Sequence, residues 1–348
     1  MVKLALDERV RACMGSRRTT DSVEMYVKAS LLISAALASY AVLVFRTSAL
    51  PVDVGACVVL ALSLVGIGFN VQHDGNHGGF SRLKWVNHSA GFTLDLIGAS
   101  SYYWKLKHNL NHHTYTNIPD EDADIEVGWF ARMCDDHDWH WFHRYQQYYL
   151  WFLYAFVHLR YIYSDWLCLI TGRMGGKPAR RPTGIDLVTF LSGKAIYLAL
   201  AFVIPLTQHT WPTVVVGFLA ISMLMGIIFS VVFQLAHTVD TVQHPSEKDG
   251  PRHPEWVVHQ IQTTSNFATG SRWLSFTLGG LNFQREHHLF PKISHVHYPA
   301  LARIVKQVCE EHNVKYAETT RLADALRSHY RFLKHMGTKP RTEVCVGR

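Results

Sequence analysis

VDVGACVVLALSLVGIGFNVQHDGNH, residues Val52–His77, carries no charged side chain between Asp53 and Asp74 and then closes on two histidines four positions apart. A helix needs about 20 apolar residues to cross a bilayer, and Val52–Val71 supplies them. In a helix continuing past the span, His73 and His77 fall one turn apart on the same face. The stretch therefore reads as a membrane-crossing helix that delivers a pair of imidazoles to its polar end.

Three further runs have the same length and character: Tyr26–Phe45, Gly184–Leu206 and Thr213–Leu235. None shows the polar stripe of helical period expected of a core helix in a soluble protein. The links RTSALP (46–51) and TQHTWP (207–212) are too short for anything but helical hairpins. Two hairpins leave both termini and the long middle segment on one side. Of the 34 Lys and Arg residues, only Lys28, Arg46 and Lys194 fall in spans or outer links, so the positive-inside rule makes the shared side cytoplasmic. The expected fold is an all-α integral membrane protein, with four transmembrane helices in two hairpins and a cytoplasmic helical cap. Its divisions are a cytoplasmic N-terminal segment (1–25), the membrane domain (26–320) and a cytoplasmic C-terminal tail (321–348). Tyr145–Leu169, interrupted by His158, Arg160 and Asp165 and rich in Tyr and Trp, is expected to lie in the membrane interface, as is VNHSAGFTLDLIGASSYYW (86–104).

Composition narrows the class further. Hydrophobic residues make up 48% and charged residues 18%, a low charge for a soluble chain of 348 residues. The six cysteines form no CxxC pair and read as isolated thiols in a reducing compartment. No secretory signal is legible at the N-terminus. The net charge of +7 suits an anionic membrane or an acidic partner protein, and the absence of a basic stripe or nucleic-acid module argues against nucleic acid.

The 22 histidines are the sharper anomaly. His209 alone belongs to the outer links, and none lies mid-span. HDGNH supplies His73 and His77. HNLNHH supplies His108, His112 and His113, the first two sharing a face and the third looking sideways. QREHH supplies Gln284, His287 and His288, and His237 ends the fourth span. Neighbouring positions on a helix point about 100° apart, so an adjacent pair serves two metal ions and not one. Eight imidazoles exceed a four-coordinate zinc and fit two imidazole-liking transition metals, iron first among them. Asp74, Asp95, Asp120, Asp122, Asp124 and Glu286 are candidates to orient the imidazoles. HDWHWFH (His137, His140, His143) reads as an amphipathic interfacial helix, not a metal site. His88, His244, His253, His259, His295, His297 and His312 take the same default.

HDGNHGGF, HNLNHHTYTN and GGLNFQREHHLFP together resemble the three histidine boxes of the membrane fatty acid desaturase family, in order, in spacing and in the two spans between the second and third. The resemblance covers roughly residues 25–320. It implies that His73, His77, His108, His112, His113, His237, His287 and His288 ligate two irons. Gln284 stands where many relatives carry a ninth histidine. An amide oxygen is a weaker, neutral ligand, so direct ligation, ligation through water and a simple hydrogen bond stay open. Glutamine at this place is similar to the front-end branch, which inserts a double bond between an existing one and the carboxyl end. Many of that branch carry a fused cytochrome b5 with an HPGG motif, and this sequence has no such motif.

The implied activity is an O2- and electron-dependent insertion of a cis double bond into a fatty acyl chain carried on CoA, acyl carrier protein or lipid. Electrons would come from a separate ferredoxin or cytochrome b5 with its reductase. A bacterial inner membrane is expected over the endoplasmic reticulum. An apolar tunnel would hold the chain, and Arg272, Arg285, Lys292 and Lys105 are candidate head-group contacts at the cytoplasmic surface. The rival readings are hydroxylation, acetylenic bond formation or ketolation at the same site. More distant are a metal transporter, which would need ionisable ligands within the spans, and a zinc hydrolase, which would leave most of the histidines unused.

Overall fold

The computed structural model describes residues 1–15, 18–46, 49–245 and 255–340. An amphipathic helix, α1 (Val2–Met14), precedes the first hairpin, α2 (Val23–Phe45) and α3 (Leu50–His77). Then come α4 (Lys84–Ile97) and α5, which runs through Ser101–Trp104, Lys105–His112 and His113–Tyr115. After an irregular stretch follow α6 (Gln146–Leu153), α7 (Val157–Thr171) and a two-residue hairpin, β1 (Arg173–Met174) with β2 (Lys177–Pro178). The second membrane hairpin is α8 (Ile185–Leu206) and α9 (Trp211–His237). The cap closes with α10 (Trp256–Thr263), α11 (Arg272–Thr277), α12 (Gln284–Leu289), α13 (Tyr298–Glu311) and α14 (Leu322–Met336).

The four spans are α2, α3, α8 and α9; α2, α3 and α9 are three to eight residues longer than the runs read from hydropathy, and α8 starts one residue later, at Ile185. Pro51 and Pro212 sit in the first turns of α3 and α9, where a missing N–H costs nothing. Met25, Leu60, Val65, Phe69, Met225, Val232 and Leu235 bury the faces that α2, α3 and α9 turn to one another. Leu31, Leu37 and Val216 remain exposed on the same helices, which is where lipid replaces water as the solvent. His209, between α8 and α9, reaches the end of α2, its Nε2 3.1 Å from the Val44 carbonyl, while His77 and His237 end α3 and α9.

Three expectations about local structure change. The segment 86–104 is not one helix, because Gly98, at φ 109°, ends α4 and turns the chain into α5. Tyr145–Leu169 divides into α6 and α7 around a 3-10 turn at Tyr154–Phe156, while keeping Tyr145, Tyr148, Phe152, Phe156 and Tyr163 on the outer surface. HDWHWFH forms no amphipathic helix. His137 faces Glu126 at 3.1 Å, and a single 3-10 turn spans Trp141–Tyr145. His143 is buried and bonded to the Trp129 carbonyl at 2.9 Å, so its role is to fix a loop.

The end of α3 is held where it is by close packing. A Cβ on Gly75 would lie 2.7 Å from both the Ala90 Cβ and the Gly91 nitrogen of α4, so only glycine lets the two helices meet. Gly78, at φ 77°, then stops the helix directly after His77. The N- and C-terminal helices belong to the cap. α1 packs on α13, with Val2, Leu6, Val10 and Met14 buried, and the carbonyls of Leu333 and Met336 in α14 accept from Gln146 (2.8 Å) and Arg132 (3.1 Å). Residues 341–348 of the expected tail, like His253, lie outside the described residues.

Candidate metal centre

The three histidine clusters and His237 converge on one buried locus. His73, His77, His108 and His287 form one group in which a nitrogen of each lies within 4.8 Å of those of the others; His112, His237 and His288 form a second. His113 joins them, its Nε2 being 2.9 Å from that of His287 and its ring stacked on His288 at 4.2 Å. The adjacent rings of His287 and His288 stand at 89° to each other, one grouped with His73, His77 and His108, the other with His112 and His237, and both in reach of His113.

One correction concerns HNLNHH. Lys105–His112 is π-helical, with hydrogen bonds spanning five residues, so His113 sits one turn from His108 and brings its Nε2 to 3.2 Å from that of His108. His113 faces its box partner; it does not look sideways. His108 and His112 still stack, at 5.3 Å, and with Asp124 form a further group of donor atoms in reach of one another. A second π-helical segment, Gly68–Gln72, immediately precedes His73, and Asn70 spans it by donating to the carbonyls of Gly66 and Thr277, both at 2.9 Å.

The orienting contacts explain why the imidazoles are available to a metal. His112 Nδ1 meets Asp122 at 2.9 Å and Asp124 at 3.4 Å. His288 Nδ1 faces Gln260 Oε1 at 2.7 Å, and His287 Nδ1 faces the Tyr298 hydroxyl at 3.3 Å. With Nδ1 engaged from outside, Nε2 is left to point inward, as in carboxylate–histidine–metal triads. Nε2 of His73, His77 and His288 and Nδ1 of His237 are buried without any hydrogen-bond partner. Four bare nitrogens in a dry interior would each cost about 1–3 kcal/mol, which metal ligation removes. The donor set fits two metal ions.

Electrostatics agree. Burial, reinforced by the neighbouring imidazoles, holds His108, His113, His287 and His288 well below the ordinary histidine value, so their lone pairs are free at neutral pH. In His112 burial pulls the same way, but Asp122 and Asp124 outweigh it and raise the value. Gln284 is buried, with its amide nitrogen 3.0 Å from His237 Nε2, so it stands beside the second group and touches a candidate ligand.

Other expected residues go elsewhere. Asp74 bonds His295 Nδ1 at 2.8 Å and lies 3.7 Å from His73. Asp95 accepts from the Ser101 backbone, Asp120 donates its backbone N–H to Glu126, and Glu286, pushed up to about 7 by burial, accepts from Asn266 and Tyr316; none of these three contacts a candidate ligand. Arg285 is no head-group contact. It is fully buried, and its guanidinium donates to the carbonyls of Ile261 (2.9 Å), Thr264 (2.5 Å) and Ala317. Arg272 and Lys292 are exposed and Lys105 is half-buried, and none of the three lines the cavity that reaches the histidines. That cavity, about 750 Å³, has His108, His112 and His237 in its wall and Lys107, Arg160 and Arg173 as its cations.

Sequence reasoning missed Gln260, Tyr298 and His295. His295 reads as interfacial in the sequence, but it is buried between Asp74 and Lys28, whose Nζ lies 3.0 Å from its Nε2. Only the box spacing marks the clustered histidines in sequence; the residues that hold them come from segments with no motif.

A family model described as fatty acid desaturase matches residues 49–320. The sn-1 linoleoyl-lipid 6-desaturase of Arthrospira platensis is 36% identical over 97% of this chain and 93% of its own. That of Synechocystis sp. is 35% identical over 95% and 94%. The acyl-lipid (8-3)-desaturase of Physcomitrium patens is 33% identical over 96% of this chain and 71% of its own length.

Proposed function

The chain belongs to the fatty acid desaturase family and is a membrane fatty acyl desaturase, and from that premise we propose its metal, its substrate form and its orientation. The metal is iron, two ions per chain. His73, His77, His108 and His287 hold one, His112, His237 and His288 hold the other, and His113 stands between them. The observation that carries this reading is the gathering of eight buried imidazoles, seven of them in a group of four and a group of three with His113 in reach of both, several having nitrogens without a hydrogen-bond partner. Imidazole-rich sites without thiolate suit iron. Two bound irons supply the reduction of O2 to water, with electrons drawn from both the acyl chain and a separate donor.

The protein's own part is placement. Asp122, Gln260 and Tyr298 fix the rings of His112, His288 and His287, and burial keeps water away from them. The cavity lays an acyl chain along Phe233, Leu150, Leu153 and Val157, against His108, His112 and His237. Methylenes are chemically alike, so the position that reacts is the one the wall presents. The substrate is an acyl group esterified in a membrane lipid, and the new bond is of the front-end type. Support comes from the relatives, named for acyl-lipid 6- and (8-3)-desaturation, and from the exposed Phe156, Tyr163 and Leu167 at the cavity rim, where a lipid reaches the site from the bilayer. The side bearing the histidines faces the cytoplasm, and a ferredoxin or cytochrome b5 with its reductase delivers electrons there.

The test is expression with a reductase–ferredoxin pair, followed by mass spectrometry of the host lipids with double-bond localisation. A product two hydrogens lighter, absent with His288→Ala, is expected. A product one oxygen heavier would establish hydroxylation instead.

A further inference from the structure

Tyr103 opens α5 five residues before His108 and is 3% exposed, its ring set against Phe190 at 5.8 Å. It lines the same cavity as His108 and His112. Its hydroxyl is buried and has no hydrogen-bond partner. The lack of a partner is not for want of acceptors. Asp165, Ser164 and Ser100 line the same cavity, and none of them takes its proton. Asp165 is engaged by Lys194, whose Nζ lies 2.6 Å from Asp165 Oδ2 and 2.6 Å from the Gly98 carbonyl. Lys107, also in the wall, is paired with Asp124 at 2.6 Å. Asp165 and Lys107 are thus paired, with Lys194 and Asp124, while the Tyr103 hydroxyl is left bare in a wall that also carries Leu153, Phe156 and Phe233.

Resting on the desaturase reading, we infer that Tyr103 donates its hydroxyl proton to the carbonyl oxygen of the bound acyl group, and so fixes how far the carboxyl end of the chain stands from the metal ligands. An acyl chain offers a hydrogen-bond acceptor only at its carboxyl end. Because Lys194 cancels the charge of Asp165, the niche suits a neutral ester or thioester carbonyl and not a free carboxylate. Tyr103 and His108 lie on one helix, five residues and roughly 7 Å apart along its axis. That separation spans a short run of methylenes, as insertion of a double bond counted from the carboxyl end requires. The residue is a positioning group, and the hydrogen bond itself breaks no bond in the substrate.

The test is Tyr103→Phe in the iron-loaded, detergent-solubilised full chain, titrated with total lipid extracted from the expressing host. Removing an unpartnered hydroxyl leaves no group unsatisfied, so thermal stability and metal content should match or exceed the parent's. KM should rise by about two- to tenfold, the loss of one neutral hydrogen bond. Double-bond localisation should show product spread to neighbouring positions. An unchanged KM with a single bond position would overturn the inference, and so would a variant that unfolds earlier and loses metal, because the hydroxyl would then be structural. A parent protein that introduces no double bond at all would overturn the desaturase reading itself, and this inference with it.

Discussion

Asp122→Asn isolates the support of one metal from the other. The carboxylate is completely buried and uses both oxygens: Oδ2 accepts from His112 Nδ1 at 2.9 Å and the Asn117 N–H at 2.8 Å, while Oδ1 accepts from the Asp124 N–H at 2.9 Å. Asparagine keeps the shape but converts one oxygen into an amide nitrogen that faces a donor. Either His112 or the 117–124 loop must lose its acceptor. A hydrogen bond to a charged group contributes about 1.5–3 kcal/mol, and loss of a carboxylate behind a ligating histidine weakens metal binding by about 10–100-fold. His112 belongs to the group with His237 and His288, whereas His73, His77, His108 and His287 do not touch Asp122. Titration of the iron-loaded protein with a chelator, followed by elemental analysis, should therefore release one iron per chain early and the second at the parent's concentration. Release of both together, or neither earlier than in the parent, would refute the division of the site into two groups.

Three further outcomes follow from packing and burial. Arg285→Ala should lower stability by about 3–5 kcal/mol, since three buried carbonyls lose their donor. Thermal unfolding in detergent reads it, and a variant as stable as Lys292→Ala would contradict the placement. Gly75→Ala should push α3 off α4, costing about 1–3 kcal/mol and reducing bound metal through displacement of His73 and His77; full metal occupancy would show that the contact yields. His329, buried between Tyr154 and Thr238, is held down to about 4 by burial. The unfolded chain takes up its proton at higher pH, so this residue's contribution is complete above about pH 6.5 and is lost as pH falls toward 4, up to about 3 kcal/mol. His329→Gln should flatten the parent's decline in melting temperature over that interval, and parallel declines would show that the imidazole is not the titrating group.

The membrane spans were legible because length and hydropathy are summed over many residues, and no local detail can undo them. The clustering of the histidines was legible because box spacing is a local property of helices. What escaped depends on depth or on one residue per turn. Arg285 carries the same letter as any surface arginine, and only the carbonyls of Ile261, Thr264 and Ala317 gathered around it reveal that it is buried. The π-helical turn at Lys105–His112 adds a residue to the repeat without altering composition, so spacing alone points His113 the wrong way. Gln260 and Tyr298 act across distances of 28 and 11 positions from the histidines they hold, with no spacing rule to announce them.

The account turns on two metals in a cage of eight imidazoles, and elemental analysis of the purified, iron-reconstituted chain tests it most directly. Two irons per chain are predicted, falling to about one in His237→Ala. A single zinc per chain, or a count unaffected by His237→Ala, would contradict it.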